Sequence, residues 1–207
     1  MKTTTKLFLA IIAIISFAFV SPNPTNSRKT ITVVIDAGHG GKDWGANHES
    51  ITEKEIVAQI TKKIQALNKN ENVIIHLTRD SDEFVELSQR TNLINKIKPD
   101  LVLSLHVGAS ANADKSGVAL YIPKDNASIE KSYAYASRLS QKLVKNHNFK
   151  VSEIEKASFV ILKKSEVPSL IIELGYLSND ADRKYLTDEK EQTRIAATIL
   201  EFFGDME

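Results

Sequence analysis

The chain has 207 residues, 42% of them hydrophobic, with 27 basic side chains against 26 acidic ones. That length suits one globular domain with a full core, and the near-neutral balance excludes wholesale neutralisation of phosphates, so no nucleic-acid partner is expected. With no cysteine and five histidines, disulfides, thiolate zinc sites and cysteine nucleophiles are ruled out, and any metal must be held by His, Asp or Glu.

At the N-terminus, Lys2 and Lys6 precede an apolar run from Leu7 to Val20, followed by Ser21-Pro22-Asn23-Pro24. A basic start, an apolar stretch and a polar, proline-broken exit read as a secretory signal. The run is shorter than the roughly 20 residues a spanning helix needs. Ser16-Phe17-Ala18 offers a small-x-small cleavage site, with an uncleaved N-terminal anchor as the alternative. The expectation is a signal peptide over 1–20, a linker over 21–28 and an exported domain over 29–207, with no stable membrane insertion once the signal is removed.

The first strand is expected over 30–36, where Thr32-Val33-Val34-Ile35 is the kind of run buried on both faces of a mostly parallel sheet. It breaks into Asp36-Ala37-Gly38-His39-Gly40-Gly41, so a histidine sits where the strand surfaces, the usual place for ligand chemistry in open α/β sheets. A glycine-rich loop with Trp44 and His48 leads to Thr52-Glu53-Lys54-Glu55, which reads as a capping box opening a helix. Ile56, Ile60, Ile64 and Leu67 form the apolar stripe of that helix, which should end near 68–70. A second strand follows at 73–78, then a helix over 84–98 that should bury Leu87, Leu93, Ile94 and Ile97. Leu101-Val102-Leu103-Ser104-Leu105-His106 is a strand ending in histidine, and 117–122 is another, stopped by Pro123. A helix over 127–146 precedes a strand at 158–162 and, after Pro168, a strand that ends in Glu173. Helical patterns over 179–187 and 189–203 close the chain. Strands alternating with helices predict an α/β fold: a single layered domain whose mostly parallel or mixed central sheet of about six strands is flanked by helices.

Three strands thus end in side chains that bind metals or move protons: His39, His106 and Glu173. Two histidines and a glutamate are a known ligand set for catalytic zinc, which keeps a further position for water. Zinc makes that water a nucleophile near neutral pH, and a nearby carboxylate carries its proton to a leaving nitrogen. His39, His106, one glutamate from the 49–55 segment and Glu173 would supply the whole set. Glu55 is engaged by the capping box, Glu53 suits a first-turn acid favoured by the helix dipole, and spacing alone does not separate Glu53 from Glu49. Glu173 follows an apolar run and would be costly to bury without a partner. His48 is a reserve ligand. Asp36 is expected to bond the glycine-rich turn or to orient a ligand histidine. His76 should face a polar edge, and His147 should sit as a cation at a helix end. Trp44 either floors a substrate groove or packs.

These residues resemble the zinc-dependent N-acetylmuramoyl-L-alanine amidases of the amidase-3 class, over about residues 30–203. The stretch from Asp36 to Asp43 looks like the opening signature of that family, and Glu53-Lys54 at a helix start matches its second ligand position, which selects Glu53 over Glu49. Thr78-Arg79, Leu87, Arg90 and Asn95 follow its middle pattern, and Ser104-Leu105-His106 matches its third ligand strand. The stretch from Pro168 to Asn179 matches the closing motif, which carries the catalytic glutamate. The resemblance implies a peptidoglycan hydrolase that cuts the amide joining the lactyl group of N-acetylmuramic acid to the L-alanine of the stem peptide. It maps His39, Glu53 and His106 onto the ligands of one Zn2+ per chain and Glu173 onto the general base. An exported enzyme agrees with peptidoglycan as the partner. The simple signal and the lack of wall-binding repeats favour the periplasm or cell envelope, or secretion where there is no outer membrane. Any protein activator is left open.

Two departures from the family pattern matter. Val107-Gly108-Ala109-Ser110 stands where Ala-Asn-Ala usually follows the third ligand, and Trp44 stands where a proline is common. The strand–helix–strand series between His106 and Glu173 leaves no room for the autoinhibitory helix of the division-associated members, so a minimal catalytic domain is expected. Two other readings draw on the same residues. One is an amidase-like module that binds peptidoglycan without cutting it, and the other a zinc peptidase or deacetylase acting on another wall polymer.

Overall fold

The computed structural model describes residues 29–206 apart from Asn148; the expected signal and linker lie outside the described residues. Strand β1 (Ile31–Ala37) is the β-branched run, almost wholly buried. It pairs in parallel with β4 (Val73–Leu77) on one side and β5 (Leu101–Gly108) on the other. β5 runs parallel to β8 (Ser169–Tyr176), β6 (Ala119–Pro123) lies antiparallel to β8, and β7 (Glu155–Ala157) adds in parallel to β6. The six strands lie in the order β4-β1-β5-β8-β6-β7, which is the mixed, mostly parallel sheet expected from the alternation. A two-residue ladder, β2 (Asn47–His48) against β3 (Ile51–Thr52), shapes the loop after β1.

One face of the sheet carries α1 (Glu53–Leu67), α3 (Ile129–His147) and α6 (Glu189–Gly204), with α5 (Asp180–Thr187) against β8 and α6. The other carries α2 (Leu87–Ile97) and the short α4 (Val160–Lys164). Alternation along each strand decides which layer a side chain meets. Val33, Ile35, Leu103, Leu105 and Ile172 pack with Ile56, Ile60, Leu139, Ile199 and Phe202 in the larger core. Val34 and Val102 point the other way, to Ile94 and Ile161. Asp36, Ser104, His106 and Glu173 share that second face, because the parallel register sets Asp36 beside Ser104 and His106 beside Glu173. The site therefore forms near the carboxyl ends of β1, β5 and β8.

Several local expectations are corrected. The 158–162 segment is not a strand: β7 ends at Ala157 and the chain turns into α4, which buries Ile161 and Leu162. A short apolar run has no periodicity by which to tell the two apart. Helix α2 begins at Leu87 rather than Phe84, with the side chain of Gln89 accepting from the amide of Glu86 at 3.1 Å. Ile94 is buried as expected, whereas Leu87 is 50% exposed and Leu67, the last of the α1 stripe, is exposed as well. Thr52 is the N-cap of α1, but its hydroxyl donates to Glu55 Oε2 at 2.8 Å instead of accepting a backbone amide, so the capping box does not form. His76 is exposed on the edge strand β4, as expected. His147 is not a helix-end cation: its nitrogens lie 2.7 Å from the Tyr185 hydroxyl and 2.8 Å from Thr198 Oγ1. Burial, with Arg194 nearby, lowers its pKa to about 4.

Candidate metal centre

His39 follows β1 with φ 60°, a left-handed conformation uncommon for a residue with a side chain. Two arginines hold the backbone there. Arg79 donates from Nε to Ala37 O and from Nη2 to Gly38 O, both at 3.0 Å. Arg90 donates to Ala37 O at 2.7 Å and to His39 O at 2.6 Å. Arg90 also bonds Asp36 Oδ1 at 2.8 Å, while Thr78 and Ser104 donate to the same carboxylate at 2.6 Å each. Burial pushes the Asp36 pKa up, but the charge of Arg90 and these hydrogen bonds outweigh it and hold the carboxyl below its ordinary value. Asp36 thus bonds neither the glycine turn nor a histidine ring. It anchors the arginine that holds the backbone of His39.

Glu53 opens α1 and is buried, with all its acceptor directions used. Oε2 accepts from Ala46 N at 2.8 Å and lies 3.1 Å from His39 Nε2. Oε1 lies 2.8 Å from His106 Nδ1 and accepts from Val107 N at 2.9 Å. Asp43 stands behind His39, 2.9 Å from its Nδ1. Burial opposes ionisation of Glu53, yet its hydrogen bonds with His106 and His39 and the charge of those rings lower its pKa to about 2. Burial likewise disfavours a charged His39, but Glu53 and then Asp43 raise that pKa to about 9. His39, Glu53 and His106 each offer a ligand atom within 4.8 Å of the others, and they form the one such group found among the described residues.

Two glycines make the approach possible. A Cβ on Gly38 would stand 2.4 Å from Cε1 of His106. At Gly45, with φ +67°, it would stand 2.4 Å from Glu53 Oε2. Glu173 lies beside His106, and its Oε2 is buried without a hydrogen-bond partner. Burial, the largest influence, raises the Glu173 pKa above the ordinary carboxylate value. All four line one cleft of ≈ 830 Å³, together with Phe84, Leu87, Tyr121, Phe159 and Tyr176.

Of the other residues considered, Glu49 is exposed in the turn between β2 and β3, and His48 is in β2, so neither joins the group. Trp44 is 57% exposed and is not among the residues lining this cleft. Sequence reasoning placed Arg79, Arg90 and Asp43 within the family's motifs without giving them a role, and it missed the amides of Ala46 and Val107. An available signal was Arg90, a charge four residues before the buried Ile94 on the apolar side of α2.

A six-stranded mixed sheet with a His–Glu–His group at one end and a second, half-buried carboxylate alongside defines a class: layered α/β proteins with a candidate divalent-metal centre. The chain belongs to the Amidase_3 family, N-acetylmuramoyl-L-alanine amidase, whose profile matches residues 33–203. It is 31% identical over 176 residues to the probable cell wall amidase LytH of Staphylococcus saprophyticus, covering 84% of this chain and 57% of that protein. It is likewise 31% identical over 169 residues to YqiI of Bacillus subtilis, covering 82% of this chain and 81% of that one. Among solved structures, N-acetylmuramoyl-L-alanine amidase AmiC2 of Nostoc punctiforme superposes with a TM-score of 0.78 at 30% identity, covering 86% of this chain and 97% of that one. No helix among the described residues is long and apolar enough to cross a membrane.

Proposed function

We propose that the protein is an N-acetylmuramoyl-L-alanine amidase. It hydrolyses the amide between the lactyl group of N-acetylmuramic acid and the L-alanine of the stem peptide in peptidoglycan, with residues 29–207 as the catalytic domain. The observation that carries this reading is the convergence of two imidazoles and a carboxylate within 4.8 Å, with a second carboxylate in register beside them. Family membership supports the bond that is cut. The N-terminal signal supports export to the periplasm or cell envelope.

The donor set fits zinc: two neutral-capable imidazole nitrogens, and a carboxylate that Glu53's low pKa keeps ionised through the neutral range. His39, Glu53 and His106 would hold one Zn2+ per chain. When bound, zinc supplies Lewis acidity and makes water a usable nucleophile near neutral pH. Glu173 is the general base. Its unpartnered oxygen and raised pKa suit it to take a proton from water and return it to the departing L-alanine nitrogen. Arg90, Arg79 and Asp36 hold the backbone that carries His39. The Val107-Gly108 departure leaves this apparatus whole, since Val107 packs in the core and its amide supports Glu53.

Mass spectrometry of peptidoglycan treated with zinc-loaded protein tests the reading. Stem peptides with a free L-alanine amino end are expected. New reducing sugars, released acetate or cut cross-links would each assign a different reaction, and binding without hydrolysis would make the protein a wall-binding module.

A further inference from the structure

The cleft's charges are unevenly committed. Arg90 is spent on Asp36 and on backbone carbonyls, and His39 and His106 face Glu53. Lys115 remains: it lines the same cleft, and its ammonium sits 4.7 Å from the centre of the Tyr176 ring. Among the described residues it forms no ion pair, although its charge acts on the carboxylate of Glu173 in the same cleft.

Its position is built, although the residue is exposed. Asp182 accepts from Ser116 Oγ at 2.7 Å, from Gly117 N at 3.0 Å and from Tyr176 N at 2.9 Å, which ties the loop after β5 to the end of β8. Asn179 donates to Ala113 O at 2.8 Å, and Ser110 N bonds Ser178 Oγ at 3.0 Å. Gly108 completes the arrangement. A Cβ there would stand 2.7 Å from the Tyr176 ring and 3.3 Å from Glu173 Oε2, so the bare backbone lets that ring and the base lie against the same spot. The Tyr176 ring is thus both a wall beside Glu173 and a platform that holds an ammonium at the cleft.

We propose that Lys115 is a carboxylate-binding subsite, receiving a free carboxylate of the stem peptide beyond the scissile amide. The inference rests on the amidase reading for the identity of its ligand. A cation held on an aromatic face and not hydrogen-bonded to an acid gains a charge-assisted hydrogen bond when a peptide carboxylate reaches it.

The probes are two muramyl tripeptides that differ only at the second residue, D-glutamate with a free α-carboxylate or its amide, D-isoglutamine. Their affinities are measured for zinc-loaded protein carrying Glu173→Gln, and their kcat/KM values with the unaltered chain. The acid should bind about fivefold tighter than the amide, the scale of one partly exposed charge contact. Lys115→Met should erase the preference, Lys115→Arg should keep it, and added salt should shrink it. Equal affinity for the two peptides, or a preference that survives Lys115→Met, overturns the subsite. Cleavage of both peptides without preference sinks the subsite alone. A Lys115-dependent preference in a protein that cleaves neither peptide sinks the amidase reading alone.

Discussion

Arg90 and Asp36 pair at 2.8 Å with side chains only 3% and 2% exposed, and the same guanidinium reaches the carbonyl of His39 at 2.6 Å. One buried ion pair therefore serves both the core and the first metal-capable histidine. Breaking such a pair from one side leaves an uncompensated buried charge, which costs roughly 3–5 kcal/mol. Arg90→Met should lower unfolding stability by about that much in denaturant titrations and weaken zinc binding as the backbone of His39 loses a donor. A loss below about 1 kcal/mol would show that the remaining bonds of Asp36, to Thr78 and Ser104, suffice to hold it.

Gly38 makes a sharper test of the metal centre, because its substitution removes no ligand. The added methyl of Gly38→Ala would fall 2.4 Å from the His106 ring, closer than real Cβ contacts, so the ring must move. Zinc affinity, followed by competition with a chromophoric chelator, should fall roughly 10–100-fold, as when a supporting contact to a ligand is lost. Unchanged affinity would mean that His106 can shift without leaving the centre.

Chelation should abolish hydrolysis of peptidoglycan, and zinc should restore it at about one ion per chain. Glu173→Gln should keep that stoichiometry while kcat falls by roughly 10²–10⁴-fold, the usual share of general acid–base catalysis. Normal turnover in that variant would remove Glu173 as the base. Loss of zinc along with activity would instead place it among the ligands.

The sequence placed His106 and Glu173 near the carboxyl ends of their strands, but neither residue ends one: β5 runs on through the buried Val107 to Gly108, and β8 through Leu174 to Tyr176. The shared face of Asp36, Ser104 and His106 comes from the parallel register, which the strand patterns alone did not give. Spacing did not separate Glu53 from Glu49, because the β2–β3 ladder decides between them: it leaves Glu49 exposed in its turn and buries Glu53 at the start of α1. The arginine clamp was only half legible: a charge at Arg90 on the apolar side of α2 marks the residue but not its partners. Arg90 bonds Asp36 and the carbonyls of Ala37 and His39 from far along the chain, and no local pattern encodes such a contact. The α4 helix failed as a strand because its buried pair, Ile161 and Leu162, is adjacent and fits either geometry.

His147 is where a local reading reversed its charge, and the reversal has a consequence for acid stability. The ring stacks on Phe149 at 5.1 Å and bonds Tyr185 of α5 and Thr198 of α6. Burial and the nearby Arg194 lower its pKa from 6.5 to about 4, against a smaller opposing pull from Glu191. The unfolded chain therefore takes up a proton at a pH where the folded chain still refuses it. Stability contributed by this site is fully present above 6.5 and is lost as pH falls toward about 4. Because the ring is only partly buried, the loss is on the order of 1–3 kcal/mol. His147→Gln can bond both hydroxyls without titrating, so it should flatten this segment of the stability curve relative to the unaltered chain. Denaturant midpoints measured at pH steps across that window decide the matter: if the two proteins lose stability in parallel, the acid sensitivity belongs to the carboxylates and not to His147.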